Sequence, residues 1–291
     1  MRHDVSFLSD NLRLAAHLYL PDAPGPHPAV VVGHPGTGVK EQTAGLYAEM
    51  LAGRGYATLA FDAAYQGESE GLPRGLEDPA QRVEDFKAAV SYLTGREDID
   101  TARIGLLGIC ASGGYSLTAA ATDRRVRAVA TVSAVDISRQ LRLGADGSQD
   151  PAVFDGMLTA SRTTVGDLPV FPASEEEARA AGEHAYQGWE YYCTSRGAHP
   201  RSAKALPWDS IDRIAFFDAF APLSLLGSRP LLTIVGSAAE TAWMSIEAFQ
   251  RATGPKEMFR IPGASHVDLY DQPEAVAAAV AKLAVFFGEC R

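Results

Sequence analysis

The stretch Gly108-Ile109-Cys110-Ala111-Ser112-Gly113-Gly114 decides the fold. It follows an apolar run, residues 103–107, that predicts a buried strand, and it precedes an alanine-rich run, residues 115–121, that predicts a helix. A strand, a glycine-rich turn and a helix together form the context of a nucleophile elbow. The nucleophile position is Cys110 and not Ser112, because the residue two before Ser112 is not glycine. The alternative for Cys110 is a buried structural cysteine in a strand-to-helix turn.

Composition limits the classes of protein to consider. The chain has 291 residues, of which 46% are hydrophobic and 21% are charged, which is typical of a globular protein of one large domain or two small ones. A formal net charge of −10 argues against nucleic acid or an anionic membrane surface as a partner. Cys110, Cys193 and Cys290 form neither a disulfide framework nor a metal-binding spacing. We therefore expect no metal and no other cofactor.

The start of the chain indicates where the protein works. Met1-Arg2-His3-Asp4 opens the sequence without the apolar run of a signal peptide, and no stretch approaches the length of a membrane span. We expect a cytoplasmic protein, with an ionic balance common among bacterial enzymes and no membrane partner. A reducing cytoplasm would keep a catalytic thiol free.

Strand and helix patterns alternate on both sides of the elbow. Residues 5–8 and 12–20 predict an antiparallel pair. The further predicted strands are 29–33, 56–61, 103–109, 126–133, 230–236 and 257–261, and the predicted helices are 40–54, 79–95, 111–122, 241–252 and 273–287. Apolar strands between such helices predict an α/β fold whose mostly parallel, eight-stranded sheet is covered on both faces. The core domain comprises residues 1–135 and 229–291.

A long insertion, residues 136–228, interrupts this alternation between the sixth and seventh strands of the sheet. Its pattern is helical, and it is rich in aromatic residues. Ligands of such sheets bind at the carboxyl ends of the strands, so an insertion that leaves this edge is placed to act as a lid. The alternatives are a homodimer interface and plain packing.

A cysteine nucleophile needs a base and a group that orients the base. The candidate base is His266, in the loop after the last strand, and the candidate acid is Glu240, directly after the penultimate strand. Asp268 and Asp271 are rivals for the acid role, but they are too near His266 in sequence to reach its far ring nitrogen easily. The order nucleophile, acid, histidine is that of the α/β-hydrolase fold.

An oxyanion hole would complete this site. Its donors in such a fold are the backbone N–H after the nucleophile, here Ala111, and one from the loop 33–40. Pro35 has no N–H, so Gly36 or Thr37 supplies the second donor. The loop matches neither the Walker spacing nor a dinucleotide fingerprint, which argues against a nucleotide.

Together these segments resemble a known family. Residues 34–42, 61–69 and 263–271 and the Cys110 elbow are similar to α/β-hydrolases of the dienelactone-hydrolase-like group, especially the YcjY-type hydrolases and related polyketide acyltransferases. The resemblance implies a Cys-His-acid triad. Dienelactone hydrolases use aspartate as the acid, whereas here the acid would be glutamate, and Ser112 replaces a glycine that is usual after the nucleophile.

The expected chemistry is cleavage of an ester, lactone or thioester through an acyl-cysteine at Cys110. The N-terminus of the following helix and His266 are expected to favour the thiolate. We expect a small acyl substrate in a pocket lined by Tyr65, Trp189 and Tyr192.

Two alternatives remain open at this point. An acyltransferase or cyclase would use the same residues with another acceptor than water. A non-catalytic ligand-binding protein on the same fold belongs to a different class, and its mark would be the loss of a triad member.

Overall fold

The computed structural model describes residues 1–289 and is built on one sheet of eight strands. Within these residues the strands are β1 (Arg2–Ser9), β2 (Leu12–Tyr19), β3 (His27–Gly33), β4 (Ala57–Phe61), β5 (Ile99–Ile109), β6 (Val126–Val132), β7 (Asp167–Pro169), β8 (Ala205–Pro207), β9 (Leu231–Gly236) and β10 (Lys256–Ile261). The sheet has the order β1-β2-β4-β3-β5-β6-β9-β10, and β7 pairs with β8 in a separate ribbon. Strand β2 pairs antiparallel with β1 and β4, and the other pairs of the sheet are parallel. The predicted α/β fold with a mostly parallel, eight-stranded sheet is confirmed.

Helices cover both faces of the sheet. They are α1 (Thr43–Ala52), α2 (Pro79–Thr94), α3 (Ala111–Thr122), α4 (Ile137–Leu143), α5 (Pro151–Ser161), α6 (Glu175–Ala180), α7 (Glu183–Cys193), α8 (Asp209–Ala215), α9 (Ala242–Arg251), α10 (Asp268–Asp271) and α11 (Pro273–Glu289). Helices α2, α3 and α9 contribute to the core on one face, and α1 and α11 contribute to the core on the other. Among these helices none is both long enough and apolar enough to cross a membrane.

The strands are apolar on both faces because both faces are covered. In β3, Val31 belongs to one core, whereas Val30 and Val32 belong to the other. Leu106 and Leu107 of β5 divide in the same way. This alternation follows from the period of two along a strand, and it explains the continuous hydrophobic runs of the sequence.

Helix α2 begins at a defined cap. The side chain of Asp78 accepts hydrogen bonds from the backbone N–H groups of Ala80 and Gln81, and Pro79 stands at the first helical position, where its missing N–H costs nothing. The cap fixes the start of the helix directly after the loop that carries Glu77, so the position of Glu77 is tied to α2.

The predicted insertion, residues 136–228, holds α4 to α8, the β7–β8 ribbon and a 3-10 helix over Leu223–Leu226. It leaves the sheet after β6 and returns before β9, and it is hydrogen-bonded to the loop after β3. The backbone N–H of Ala203 and the hydroxyl of Ser202 donate to the carbonyl of Thr37 at 3.1 and 2.9 Å. Gln42 donates to the carbonyl of Gly197 at 2.6 Å. The insertion therefore packs over the carboxyl edge of the sheet.

Candidate active site

The turn between β5 and α3 has the backbone of a nucleophile elbow. Cys110 has φ 56° and ψ −121°, a conformation that few residues other than glycine adopt, and α3 begins at the next residue. A Cβ atom at Gly108 would lie 2.0 Å from the carbonyl oxygen of Ser112, so the turn requires glycine there. The strained turn presents the Cys110 side chain to a cavity above the sheet.

Three polar groups act on the thiol of Cys110. They are the hydroxyl of Tyr270 and the backbone N–H groups of Ala111 and Gly36, and each favours the thiolate. Burial acts in the opposite direction and is larger, so the pKa of Cys110 is raised. The N–H of Ala111, at the N-terminus of α3, favours the thiolate as predicted, but desolvation outweighs it and the net shift of the pKa is upward.

The predicted oxyanion donors come together at this thiol. The N–H groups of Ala111, from the elbow, and of Gly36, from the loop after β3, both lower the pKa of Cys110, and all three residues line the same cavity. Thr37 has φ 61° and lines the cavity. Its carbonyl is held by the insertion, as described above, so the insertion also fixes the backbone of this loop.

Ser112 joins the elbow to the oxyanion loop. Its hydroxyl donates to the carbonyl of His34 at 2.5 Å, and Arg82 donates to the same carbonyl at 3.0 Å. The His34 ring is buried, and its Nε2 accepts from the backbone N–H of Ala63 at 3.1 Å. Burial, and then the charge of Arg82, hold the pKa of His34 well below its usual range. His34 and Ser112 are therefore structural supports of the loop that carries Gly36.

His266 is held at both ring nitrogens. Its Nδ1 lies 2.5 Å from the hydroxyl oxygen of Thr241, and its Nε2 lies 3.0 Å from the hydroxyl oxygen of Tyr270. The ring is 1% exposed, and the ring of His184 from the insertion packs edge-on against it at 5.0 Å. Burial, with a smaller contribution from His184, lowers the pKa of His266 well below its usual value, so the imidazole is neutral near pH 7.

Tyr270 lies beside both Cys110 and His266. Its hydroxyl oxygen is 3.0 Å from Nε2 of His266, and it is near enough to the Cys110 thiol for each group to shift the pKa of the other. Sequence reasoning missed this residue. The signal is the spacing His266-x-x-x-Tyr270, since residues four apart across a helical turn lie on the same side. Burial, and then the neighbouring thiol, raise the pKa of Tyr270 well above its ordinary value, so the phenol keeps its proton.

The structure does not bring the predicted acid, Glu240, to the histidine. Glu240 is exposed, whereas the next residue, Thr241, is buried and occupies the hydrogen-bonding position at Nδ1. The rival carboxylates have other partners within the described chain. Asp268 accepts from the backbone N–H of Ser265, and Asp271 forms two hydrogen bonds with Arg196. The turn before α9 directs Thr241 inward and Glu240 outward.

A cavity of about 300 Å³ opens beside Cys110. It is lined by Gly36, Thr37, Glu77, Cys110, Ala111, Ile137, Gln140, Leu141, Met157, Leu168, Pro169, Val170, Phe171, His184, Gly188, Tyr192, Leu206, Ile214, His266, Val267 and Tyr270. Most of these side chains are apolar, and most come from the insertion. The volume is at the lower end of the range for small-molecule sites.

Of the three predicted substrate-contacting residues, the described cavity lining includes Tyr192 alone. The ring of Tyr192 stacks on Phe171 with centroids 4.8 Å apart. Trp189 instead stacks on Tyr186, and Tyr65, at φ 70°, lies against Gly71.

One cluster of three acidic residues has the spacing of a metal site, but it already binds a cationic side chain. Ligand oxygens of Glu41, Asp62 and Glu68 lie within 4.8 Å of one another. The ammonium of Lys40 binds all three carboxylates at 2.6 to 2.8 Å. Lys40 therefore takes the place that a cation would occupy.

Comparisons with known proteins agree with this fold. Residues 10–264 match the model of the family described as X-Pro dipeptidyl-peptidase (S15 family). The chain is 40% identical to the uncharacterized protein YcjY of Escherichia coli (strain K12), and the match covers 99% of both chains, which confirms the resemblance to YcjY-type proteins. The crystal structure of a hypothetical protein, PA2218 from Pseudomonas aeruginosa, superposes with a TM-score of 0.91 at 35% identity, covering 100% of this chain and 94% of that one. The chain is 41% identical to the thiohydrolase aneE of Aspergillus aculeatus over a match that covers 44% of this chain and 40% of aneE.

Proposed function

Because the chain belongs to the X-Pro dipeptidyl-peptidase (S15) family, and its fold is that of an α/β-hydrolase, we propose that it cleaves esters or thioesters through an acyl-cysteine at Cys110. One observation carries the proposal. The thiol of Cys110 stands on a strained elbow, faces the N–H groups of Ala111 and Gly36, and is linked through Tyr270 to His266. Nucleophile, oxyanion donors and base thus meet in one cavity.

The first half of the reaction forms the thioester. The sulfur of Cys110 attacks the acyl carbonyl carbon while the thiol proton passes to Tyr270 and the phenolic proton of Tyr270 passes to Nε2 of His266. The carbonyl oxygen gains the electron pair of the broken π bond and accepts from the N–H groups of Ala111 and Gly36. Each such donor is typically worth about 3 kcal/mol in the transition state.

The second half releases the acyl group. The tetrahedral intermediate collapses, the bond to the leaving group breaks, and the leaving alcohol or thiol takes the proton held by His266. A water molecule then gives a proton to His266 and attacks the thioester, which releases the acid and returns the proton to Cys110. The hydroxyl oxygen of Thr241 accepts a hydrogen bond from Nδ1–H of His266. The proton therefore stays on Nδ1, and Nε2 is unprotonated and acts as the base at each step.

Esters and thioesters suit this site better than amides. The leaving thiol or alcohol needs less help from a proton donor than an amine does, and His266 is neutral in its buried position, so it carries only the proton that it has just received. Thiohydrolase activity in the partial relative supports the choice of a thioester.

Acyl transfer is a second candidate, which one observation favours. His266 and Tyr270 are 1% and 2% exposed, so the water or other acceptor must reach them through the apolar cavity. An alcohol or amine that binds in this cavity would compete well with water for the acyl group.

Turnover of matched substrates tests the proposal. We expect the protein to cleave p-nitrophenyl octanoate and octanoyl N-acetylcysteamine, and Cys110→Ala to abolish cleavage. Cys193→Ala is the matched control, because Cys193 is an exposed, free cysteine. Equal cleavage by the wild type and Cys110→Ala would refute the assignment of the nucleophile.

A further inference from the structure

One carboxylate in the cavity has no part in the mechanism described above. Glu77 lines the cavity but is only 1% exposed, and its backbone N–H donates to the hydroxyl oxygen of Ser210 in the insertion at 3.1 Å. Charged side chains are almost never buried to this extent unless they are paired or have a function. The partners of its two carboxylate oxygens show what it could do.

The two oxygens of Glu77 differ in their surroundings. Oε1 accepts from the hydroxyl of Tyr115 at 2.7 Å and lies 3.3 Å from Nε of Arg82. Oε2 is buried and has no hydrogen-bond partner within the described part of the chain. A buried acceptor without a partner costs about 1–3 kcal/mol, and more when it is charged. The carboxylate is therefore fixed through one oxygen, while the other is left without a partner in the described part of the chain.

Glu77 shares the cavity with the proposed nucleophile. Its charge contributes to raising the pKa of Cys110. Both residues line the same cavity. An acyl chain attached to Cys110 would therefore extend into the space that Glu77 borders.

Charge balance favours a neutral donor over a cation. Arg82 already compensates the carboxylate in a pair whose two side chains are 4% and 1% exposed. An ammonium group beside this pair would bring an uncompensated positive charge into an apolar cavity, which is costly. A hydroxyl group would satisfy Oε2 without changing the net charge.

We propose that Oε2 of Glu77 accepts a hydrogen bond from a hydroxyl group on the acyl chain, so that the cavity selects hydroxyacyl esters or thioesters over unsubstituted ones. This inference rests on the proposed function, because it assumes that the acyl group is carried by Cys110. Glu77 acts here as a specificity-determining residue, and Arg82 and Tyr115 act as positioning residues that hold it.

A series of N-acetylcysteamine thioesters tests the proposal. The series comprises octanoyl, each monohydroxyoctanoyl isomer and the matching amino-octanoyl compounds, and the readout is the ratio of kcat/KM between substituted and unsubstituted substrates. In the wild type we expect at least one hydroxyl isomer to be preferred about 10- to 100-fold, the range for a hydrogen bond to a charged group. In Glu77→Gln the preference should fall to within about threefold. Glu84→Gln, which makes the same change at an exposed position of α2, should keep it.

Several results would overturn the proposal. They are a wild type without a hydroxyl preference, a preference that survives in Glu77→Gln, and a stronger preference for an amino isomer. A loss of activity that is equal for all substrates does not change the ratio of kcat/KM between substituted and unsubstituted thioesters. If Glu77→Gln does not fold, Glu77→Asp retains the charge beside Arg82, and its shorter side chain should also lose the preference.

A binding measurement separates this proposal from the proposed function. The methyl ketones that correspond to the thioesters are neutral and have no leaving group, so calorimetry on Cys110→Ala reports recognition without chemistry. We expect the hydroxyketone to bind about 10- to 100-fold more tightly than the plain ketone, and Glu77→Gln in the same background to remove the difference. Equal binding of the two ketones refutes the subsite. Absence of turnover with retained hydroxyl selectivity in binding refutes only the acyl-cysteine chemistry.

Discussion

The hydroxyl group of Tyr270 lies 3.0 Å from Nε2 of His266, and the same hydroxyl is near enough to the thiol of Cys110 for each group to shift the pKa of the other. The nitrogen that acts as the base in a Cys-His pair is thus engaged by a phenol. Since the phenol keeps its proton at neutral pH, it can receive one proton from sulfur as it gives another to nitrogen. This relationship makes Tyr270 a member of the proposed catalytic group, with Cys110 and His266.

Replacing Tyr270 by phenylalanine should slow acylation. The ring remains to fill the space, but the path for the proton between Cys110 and His266 is lost. Relays of this kind contribute about 100-fold or more, so we expect kcat/KM for octanoyl N-acetylcysteamine to fall by that factor. Tyr92→Phe, which removes a partly buried hydroxyl on α2, is the matched control. Activity of Tyr270→Phe within threefold of the wild type would mean that His266 takes the proton directly.

The pH dependence of alkylation should report a protonated thiol at Cys110. Because burial raises its pKa, the rate of its reaction with iodoacetamide should be low near pH 7 and should rise through the alkaline range. Peptide mapping by mass spectrometry follows Cys110 separately from the other cysteines. A rate that is already at its plateau at about pH 7 would indicate a thiolate and would contradict this account.

Replacing Thr241 should lower kcat/KM far more than replacing Glu240. Thr241→Val removes the acceptor at Nδ1 of His266 and leaves a buried N–H without a partner, so kcat/KM should fall about 10-fold. Glu240→Gln should stay within about twofold, because that side chain is exposed. Steady-state kinetics of the two variants measure both values of kcat/KM. The reverse order of effects would restore Glu240 as the orienting acid of the triad.

Acid should destabilise the protein through its buried histidines. The pKa values of His34 and His266 are lowered in the folded state, so each binds a proton more readily in the unfolded chain. Their stabilisation is present above the unfolded pKa of about 6.5 and is lost as the pH falls below it, by about 1.4 kcal/mol per pH unit for each histidine. Urea unfolding between about pH 7.5 and 5.5 measures this loss. A free energy of unfolding that stays constant over that range would contradict the neutral, buried state of both rings.

Much of the fold could be predicted because its signals are local. Apolar runs such as residues 29–33 are buried on both faces, and the glycine at 108 is required by contact with Ser112. Element boundaries also depend on contacts outside the local pattern. The predicted helix 40–54 begins only at Thr43, because Lys40 and Glu41 serve an ion-pair cluster in the loop.

The site residues whose positions follow from the local backbone could be predicted from the sequence. Those whose positions follow from tertiary packing could not. Cys110, Ala111 and Gly36 follow from the turn after a strand, whatever surrounds them. The choice between Glu240 and Thr241 depends on which residue of a turn faces inward, which sequence pattern does not reveal. Glu77 reaches the cavity through tertiary contacts alone, and Tyr270 is indicated only once His266 has been placed in the site. The helical pattern of residues 136–228 does not indicate which of their aromatic rings line the cavity.

Intact-mass analysis of the acylated protein tests the central claim most directly. The wild type, Cys110→Ala and His266→Ala are mixed with p-nitrophenyl octanoate and quenched in acid at increasing times. On the wild type we predict an octanoyl adduct that forms and then decays, and on Cys110→Ala we predict none. On His266→Ala the adduct should form more slowly and should then persist. Peptide mapping should locate the adduct at Cys110. Turnover by Cys110→Ala at the wild-type rate, or an adduct at another residue, would contradict the account.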